Sequence, residues 1–332
     1  MSKFNVAVVG ATGAVGREMV KILGERKFPV RDLLLLASER STDKTISFRK
    51  KELKVLELNS NSFNNIDIAL FSAGSAVSKK FAPIAAKNGT IVIDNSSAYR
   101  MDFDVPLIVP EVNQNEIKKH NGIIANPNCS TIQMVVALKP ILDEVGIDRI
   151  IVSTYQSVSG TGKDAIDELT KQSFQILNNK KPTHKVYPHQ IAFNILPHID
   201  LFENNGYTKE EMKLIHETKK IFGDNKIKIT ATAARVPVFY GHSESVYIET
   251  KKHIPIKNLK EIYLKTKGIK LVDDINNSKY PLAIMSEIYD DVMIGRIRKD
   301  LNEPNGINMW IVANNLRKGA ALNAVQIAEL LI

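Results

Sequence analysis

The opening of the chain constrains its fold more than any other stretch. Phe4-Asn5-Val6-Ala7-Val8-Val9 is an apolar run the length of a buried strand, and it leads directly into Gly10-Ala11-Thr12-Gly13-Ala14-Val15-Gly16. From there Val15, Met19, Val20, Ile22 and Leu23 recur at helical spacing. Strand, glycine turn and helix in that order begin a mononucleotide-binding unit. Glycines let the main chain approach a pyrophosphate, and the N–H groups at the helix start favour its negative charge. The spacing is G-x-x-G-x-x-G rather than G-x-G-x-x-G, so alone it also describes a plain tight turn. Its place between strand and helix supports the nucleotide reading.

Further short apolar runs lie at 33–37, 66–71, 91–93, 107–109 and 123–125, with helical composition at 75–87 and 113–119. Strands alternating with helices predict a Rossmann-like, doubly wound parallel sheet whose ligand crevice lies at the carboxyl ends of the strands. Small and polar residues fall there, as in Ser72-Ala73-Gly74-Ser75 and Asp94-Asn95-Ser96-Ser97. The second run ends in Ser38-Glu39-Arg40-Ser41-Thr42. The cation and hydroxyls suit the 2′-phosphate of NADP, Glu39 would suit the ribose of NAD, and a solvated polar turn would look the same.

Beyond about residue 127 the pattern changes. A helix over roughly 130–143 precedes a β-rich run from Ile147 to Val158, and a helix over 163–178 precedes a Lys/Pro/His-rich loop reaching about 190. Later strand candidates are 226–235, 243–250, 292–298 and 307–313. They predict an α+β domain with a mixed or antiparallel sheet. The end, Leu316 to Ile332, is amphipathic and suited to return to the first domain. The expected division is 1–127 plus 314–332 for the nucleotide domain and 128–313 for the other.

The 332 residues suit two domains, with 44% hydrophobic and 24% charged residues in ordinary globular balance. No apolar run reaches the roughly 18 residues that suggest a membrane span, and the start has no signal-peptide pattern, so a cytoplasmic enzyme is expected. The net charge of +9 comes from dispersed residues, without the basic stripe or aromatic platform of a nucleic-acid binder.

The single cysteine, Cys129, excludes an internal disulfide and a Cys-rich metal site, and no metal is expected. A lone cysteine is most often an inert buried side chain. Its setting here, Asn126-Pro127-Asn128-Cys129-Ser130-Thr131, argues otherwise. Pro127 closes a strand, and Ser130 or Thr131 can begin the following helix. A thiol at a helix N-terminus is favoured as thiolate. A thiolate attacking a carbonyl needs a base and oxyanion donors. Gln156, before the glycine-rich Ser159-Gly160-Thr161-Gly162, and His242 and Arg235, on either side of Pro237, are candidates, as is Arg100. Spacing alone does not distinguish them from an ordinary core histidine, of which the chain has seven to choose from, or from surface cations.

The residues as a whole resemble the aspartate-semialdehyde dehydrogenases, in the branch found in Gram-positive bacteria and some other microbes. The resemblance runs from AVVGATGAVG (7–16) through LFSAGS (70–75), PEVN (110–113), NGIIANPNCSTIQM (121–134), RIIVSTYQSVSGTG (149–162), IAFNILPHID (191–200), EEMKLIHETKKI (210–221), HSESVYIET (242–250) and VMIGRIRKDL (292–301) to NNLRKGAA (314–321). It implies Cys129 as the thioester-forming nucleophile, His242 as acid–base and Gln156 as the group orienting the acyl intermediate. Arg235, Glu210 and Asn128 would bind substrate, Arg235 as a bidentate clamp on the carboxylate and Glu210 on the amino group. Arg100 and Lys213 would bind inorganic phosphate. Gly10, Thr12, Gly13, Ala14, Val15, Ser38, Arg40, Ser41, Ser159, Gly160 and Asn315 would contact NADP. Glu210 and Lys213 are three residues apart on one helix, which Thr208 and Glu211 can start with a capping box.

The implied reaction interconverts aspartate 4-semialdehyde, with inorganic phosphate and NADP, and 4-phosphoaspartate, on the route to lysine, threonine and methionine. A homodimer or homotetramer is implied. Relatives often carry Cys where Asn126 stands and an acid where Asn314 stands, and many have a longer loop after residue 178. N-acetylglutamyl-phosphate reductase and malonyl-coenzyme A reductase share the thioester logic, but the pairing of Glu210 with Arg235 favours a zwitterionic amino acid. A catalytically dead scaffold sensing redox state is the rival of another class, and the intact Cys129, Gln156 and His242 speak against it.

Overall fold

In the computed structural model, which describes residues 3–332, the first strand β1 (Phe4–Val9) carries four successive fully buried residues, Val6 to Val9. Burial on both faces is the signature of a central parallel strand. Helix α1 (Ala14–Glu25) follows, then β2 (Val30–Ala37), a hairpin of β3 (Thr45–Phe48) and β4 (Lys51–Glu57), and β5 (Ile68–Phe71). Helix α2 (Ser75–Lys87), β6 (Ile91–Asp94), a four-residue turn of helix α3 (Pro110–Asn113) and β7 (Ile123–Ala125) complete the sheet. Its order is β3-β4-β2-β1-β5-β6-β7. Every pairing is parallel except the β3–β4 edge.

Two local expectations change. Residues 107–109 form no strand; Leu107 makes only an isolated bridge to Ala125. Pro106 and Pro110 bracket the three residues, and neither can donate to a ladder. Residues 114–119 form a 3-10 helix.

Contacts divide the chain into two compact units, one reaching Asn128 and including Gly319–Ile332, the other Cys129–Lys318. The second unit begins with α4 (Cys129–Val145), one residue earlier than the composition suggests, followed by β8 (Ile147–Gln156), α5 (Lys163–Leu177), α6 (Lys209–Phe222), β9 (Lys228–Arg235) and β10 (His242–Thr250). Then come α7 (Ile256–Lys265), β11 (Ile269–Leu271), β12 (Val292–Lys299) and β13 (Gly306–Ala313). The sheet runs β11-β12-β13-β10-β8-β9. It is mixed: β8 is parallel to β9 and antiparallel to β10. Helix α6 opens with the expected capping box, the Thr208 hydroxyl accepting from the Glu211 N–H and the Glu211 carboxylate from the Thr208 N–H. The chain from 178 to 208 has no regular element. It is strapped by buried side chains of α5: Glu168 accepts from the N–H groups of Lys185, Val186 and Tyr187, and Gln172 from those of Ile191 and Ala192.

From Gly319 the last segment belongs to the first unit. A π turn (Arg317–Ala321) precedes α8 (Leu322–Glu329), shorter than the sequence pattern suggests. Leu322, Val325 and Ile327 share a core with Met19, Ile22 and Leu23 of α1, and Arg26 pairs with Glu329 at 2.7 Å. No helix among the described residues is long and apolar enough to cross a membrane.

Candidate active site

In the first unit, the glycine turn between β1 and α1 is built for close approach. Gly10 has φ +82°, and a Cβ there would stand 2.8 Å from the main chain of Ser72. No other residue fits without moving that strand end. Gly13 caps α1 without a side-chain bond, and Gly13 and Ala14 are exposed, so no side chain blocks the N–H groups of the first turn. Across the turn, Thr12 Oγ1 lies 3.5 Å from Ser41 Oγ, beside the exposed Ser38 and Arg40. An open helix start next to a cation and hydroxyls fits a dinucleotide with a 2′-phosphate.

Arg100 belongs to the same unit, and it is buried rather than a free surface cation. Its Nε donates to the Asn126 carbonyl at 2.9 Å and its Nη2 to the Asn95 carbonyl at 3.0 Å. Asn126 is a fully buried hub. Its amide donates to Asn95 Oδ1 at 2.6 Å, and its oxygen accepts from Asn323 at 2.7 Å. The amide therefore takes up polar partners that a thiol would serve poorly.

In the second unit three strands end together. Gln156 is the last residue of β8 and pairs with Arg235, the last of β9. His242 begins β10, one step beyond the Ser243–Tyr155 pair that joins β10 to β8. The turn after β8 folds over these ends. A Cβ on Gly160 would lie 3.2 Å from an Arg235 guanidinium nitrogen and 3.4 Å from His242 Nε2, so a larger residue there would need these side chains to give by a few tenths of an ångström. Cys129, partly exposed, is the first residue of α4. One turn on, Gln133 donates to the His242 carbonyl at 3.4 Å, linking the helix to the strand.

His242 is fully buried, and its Nε2 has no hydrogen-bond partner among the described residues. Its Nδ1 faces both the Ser157 N–H and the Ser157 hydroxyl at 3.1 Å. That hydroxyl reaches Asn315 Oδ1 at 3.1 Å, which also accepts from the Gly241 N–H. The Ser157 N–H donates to Nδ1, so in this geometry the neutral ring carries its proton on Nε2; a base role for Nε2 needs that proton moved to Nδ1, where Ser157 Oγ can accept it while donating to Asn315 Oδ1. Burial, reinforced by Arg235, holds the imidazole well below its usual pKa of 6.5, against a smaller opposing pull from the Gly241 main chain. The ring is neutral at physiological pH, as a base must be before it acts.

Charged groups line the neighbouring wall. Gln156 Nε2 donates to Glu210 Oε1 at 3.1 Å, and Lys213 bridges Glu210 Oε2 at 3.1 Å and Asp200 at 2.8 Å. Burial weakens the Lys213 charge, but Glu210 and Asp200 outweigh it and raise its pKa. Arg235 donates to the Ser157 carbonyl at 2.7 Å, while its buried Nε has no partner among the described residues. No group of three or more His, Cys, Asp or Glu able to hold a metal occurs among the described residues.

Sequence reasoning missed Ser157, Asp200, Gln133 and Glu244, and it read Asn315 only as a cofactor contact. Ser157 lies inside a quoted motif, and Glu244 follows His242 by the two-residue step that keeps a strand residue on the same face. Glu244 is fully buried, with neither carboxyl oxygen partnered among the described residues. Burial raises its pKa well above 4.5, and Gln133 offsets this only in part. The folded state therefore holds a proton that the unfolded chain releases near pH 4.5, and stability falls as pH rises above that value. Glu244→Gln removes this loss. Thermal melts should show the variant gaining on the wild type from pH 4.5 upward; a gap that does not vary with pH would contradict the buried acid.

Known proteins place this arrangement. The model of the semialdehyde dehydrogenase NAD-binding domain matches residues 5–120, and that of the semialdehyde dehydrogenase dimerisation domain matches 138–318. An aspartate-semialdehyde dehydrogenase of Aquifex aeolicus is 57% identical over 99% of this chain and 98% of its own. The crystal structure of aspartate semialdehyde dehydrogenase II from Vibrio cholerae complexed with ASA superposes with a TM-score of 0.97 at 52% identity, covering 100% of this chain and 98% of that one. A Candida albicans aspartate semialdehyde dehydrogenase with NADP superposes with a TM-score of 0.76 at 25% identity, covering 99% and 98%.

Proposed function

The chain belongs to the aspartate-semialdehyde dehydrogenase family, and we propose how its residues divide that family's reaction. The enzyme interconverts 4-phospho-L-aspartate and L-aspartate 4-semialdehyde with NADP(H), in the pathway to lysine, threonine and methionine. The observation that carries the assignment of roles is the meeting of Gln156, Arg235 and His242 at one sheet end, with Gly160 packed on two of them.

When bound, NADP supplies the two-electron acceptor of the oxidative direction, and Gly10, Thr12, Gly13, Ala14, Val15, Ser38, Arg40 and Ser41 would hold it in the first unit. Ser159, Gly160 and Asn315, the remaining contacts proposed, belong to the second unit. Cys129, at the positive end of α4, attacks the aldehyde as thiolate. His242 Nε2 takes the thiol proton as that thiolate forms and passes it to the aldehyde oxygen, giving a hemithioacetal, while Ser157 and Asn315 orient the ring. Loss of hydride from the hemithioacetal carbon to bound NADP, with His242 taking back the hydroxyl proton, leaves a thioester that is cleaved by inorganic phosphate, which Arg100 and Lys213 would bind. Gln156 orients the acyl group, and Asn128 precedes the nucleophile as a further substrate contact. Glu210 accepts from the Gln156 amide and Arg235 pairs with Gln156 across the strands, so groups of opposite charge adjoin it, which matches the ammonium and carboxylate of an amino acid. We also propose that the second unit mediates a homodimer or homotetramer and that the enzyme works in the cytoplasm.

The test is phosphate-dependent NADPH formation from aspartate semialdehyde by the purified protein. N-acetylglutamate semialdehyde and malonate semialdehyde serve as competing substrates. Silence with aspartate semialdehyde, or faster turnover of either rival, rejects the reading. Arg235→Lys keeps the charge and loses the planar fork. It should raise KM for aspartate semialdehyde by roughly 10- to 100-fold, the value of one or two charged hydrogen bonds, with a smaller change in kcat. An unchanged KM would remove Arg235 from the carboxylate.

A further inference from the structure

Residues 197–200 form a short strap between Arg235 and the start of α6. Before them, Leu196 is bridged to Arg235 at the end of β9, its N–H donating to the Arg235 carbonyl at 3.0 Å and the Arg235 N–H to the Leu196 carbonyl at 2.8 Å. After them, the Leu201 carbonyl accepts from the N–H of Lys209, the first residue of α6, at 2.8 Å. The strap ends in Asp200, at φ +69°. Aspartate is one of the few side chains that tolerate this left-handed region. Asp200 Oδ1 accepts from the Leu201 N–H at 2.9 Å, and Oδ2 accepts from Lys213 Nζ at 2.8 Å. Burial works against the charge on Asp200, but Lys213 and the Leu201 N–H outweigh it and hold the carboxyl below its usual range.

We propose that Asp200 is a positioning residue for the amino group of the substrate: it keeps Lys213 partnered, so that Glu210 can turn from this lysine to the incoming ammonium. Glu210 Oε1 accepts from Gln156, and Lys213 occupies Oε2 at 3.1 Å, the oxygen that a substrate ammonium would have to share. Two cations on one carboxylate oxygen repel each other. With Asp200 in place, Lys213 gives up Glu210 and stays in an ion pair. Without Asp200, the lysine, only 26% exposed, would be left unpaired in a partly dry setting, so it would remain on Glu210 at the expense of the substrate.

The charges point the same way. Glu210 and Lys213 cancel, and Asp200 leaves one negative charge over, the sign that attracts an ammonium. A helix also needs no third group to pair residues three apart, so Glu210 and Lys213 would meet unaided. What Asp200 adds, from outside α6, is a second place for the lysine to go.

This proposal rests on the reading of Glu210 as the contact for the amino group, and the experiment separates the two. Asp200→Asn, Asp200→Gly, Lys213→Met, the double variant D200N/K213M and Glu210→Gln are compared with the wild type. The substrates are aspartate semialdehyde and succinate semialdehyde, the same aldehyde acid without its amino group. Where turnover is too slow to follow, binding of either aldehyde is read by calorimetry in its place. Asn keeps an acceptor for the Leu201 N–H and tolerates the left-handed backbone, and Gly adopts that backbone freely. D200N should raise KM for aspartate semialdehyde by roughly 5- to 30-fold, between the scale of an exposed ion pair and that of a buried one, with kcat changed little. Succinate semialdehyde should be affected by less than about twofold, so the preference for the amino substrate falls by nearly the whole factor. D200G should show the same split. In the K213M background D200N should add less than about twofold, because Asp200 acts through the lysine. KM for phosphate should not rise in D200N, since Lys213 keeps its charge. An unchanged preference in D200N with only a lowered Tm would overturn the proposal. So would equal losses on both aldehydes, an equal rise in KM for phosphate, or a full D200N effect in the absence of Lys213. If D200N does not fold, D200G decides by the same readouts. Wild-type preference for the amino substrate in E210Q would instead bring down the reading on which the proposal stands.

Discussion

Cys129→Ser is expected to lower phosphate-dependent NADPH formation by roughly four orders of magnitude or more, the scale on which removing a covalent nucleophile acts. The substitution exchanges one atom, so packing at the start of α4 changes little. What changes is ionisation. The helix terminus draws a thiol into the thiolate range but cannot do so for a hydroxyl, whose pKa lies far higher. Arg235 and Glu210 remain, so the variant should still bind aspartate semialdehyde, measurable by calorimetry or by protection from thermal unfolding. Iodoacetamide labelling should vanish, because the chain has no second cysteine. Lost turnover with retained binding separates the nucleophile from the binding groups. Substantial turnover by the serine variant would exclude a thioester on this residue.

The same cysteine shows what a sequence displays of such a site. Its helix-start address follows from Pro127 and the residues beside it, all within a few positions. The glycine turn after β1 and the Thr208–Glu211 capping box are equally local, and each is visible as a pattern. Contacts across long stretches of chain are not. Ser157 orients a histidine 85 residues away, and Gln133 meets the carbonyl of the same histidine across 109. No periodicity records which two element ends the sheet order will bring together. Lys213 illustrates the cost: its spacing from Glu210 is readable, but its second carboxylate, Asp200, sits in the irregular chain before α6. Folding also overrules local signal where backbone chemistry intervenes. Leu107-Ile108-Val109 has strand composition, yet the flanking prolines leave it a single bridge. The β3–β4 hairpin and α7 follow from tertiary packing that no motif announces. For the roles of Cys129, His242 and Gln156, family resemblance carried what spacing could not.

The second large effect is expected at His242. Replacing it with Asn keeps an amide where Nδ1 stands, its oxygen able to accept from the Ser157 N–H, and removes Nε2, the atom to which the base role is assigned. The expected loss in kcat is roughly 100- to 10,000-fold, the usual range for a general acid–base group, with KM for aspartate semialdehyde largely kept. The wild-type profile of kcat/KM should fall on the acid side at a pH well below 6.5, because burial and Arg235 hold the imidazole neutral. The variant should lose that limb. Stability provides an independent check with a fixed sign. The unfolded chain takes up a proton at this residue as pH drops below 6.5, whereas the folded state does not until much lower. Over that interval the unfolded state binds more protons, so wild-type stability falls as pH falls. His242→Asn has no such proton to gain, and its Tm should improve relative to the wild type between pH 6.5 and 5. Melts that run parallel across this range would show that the histidine is not held neutral, and a variant that retains both turnover and the acid limb would transfer the base role to another group.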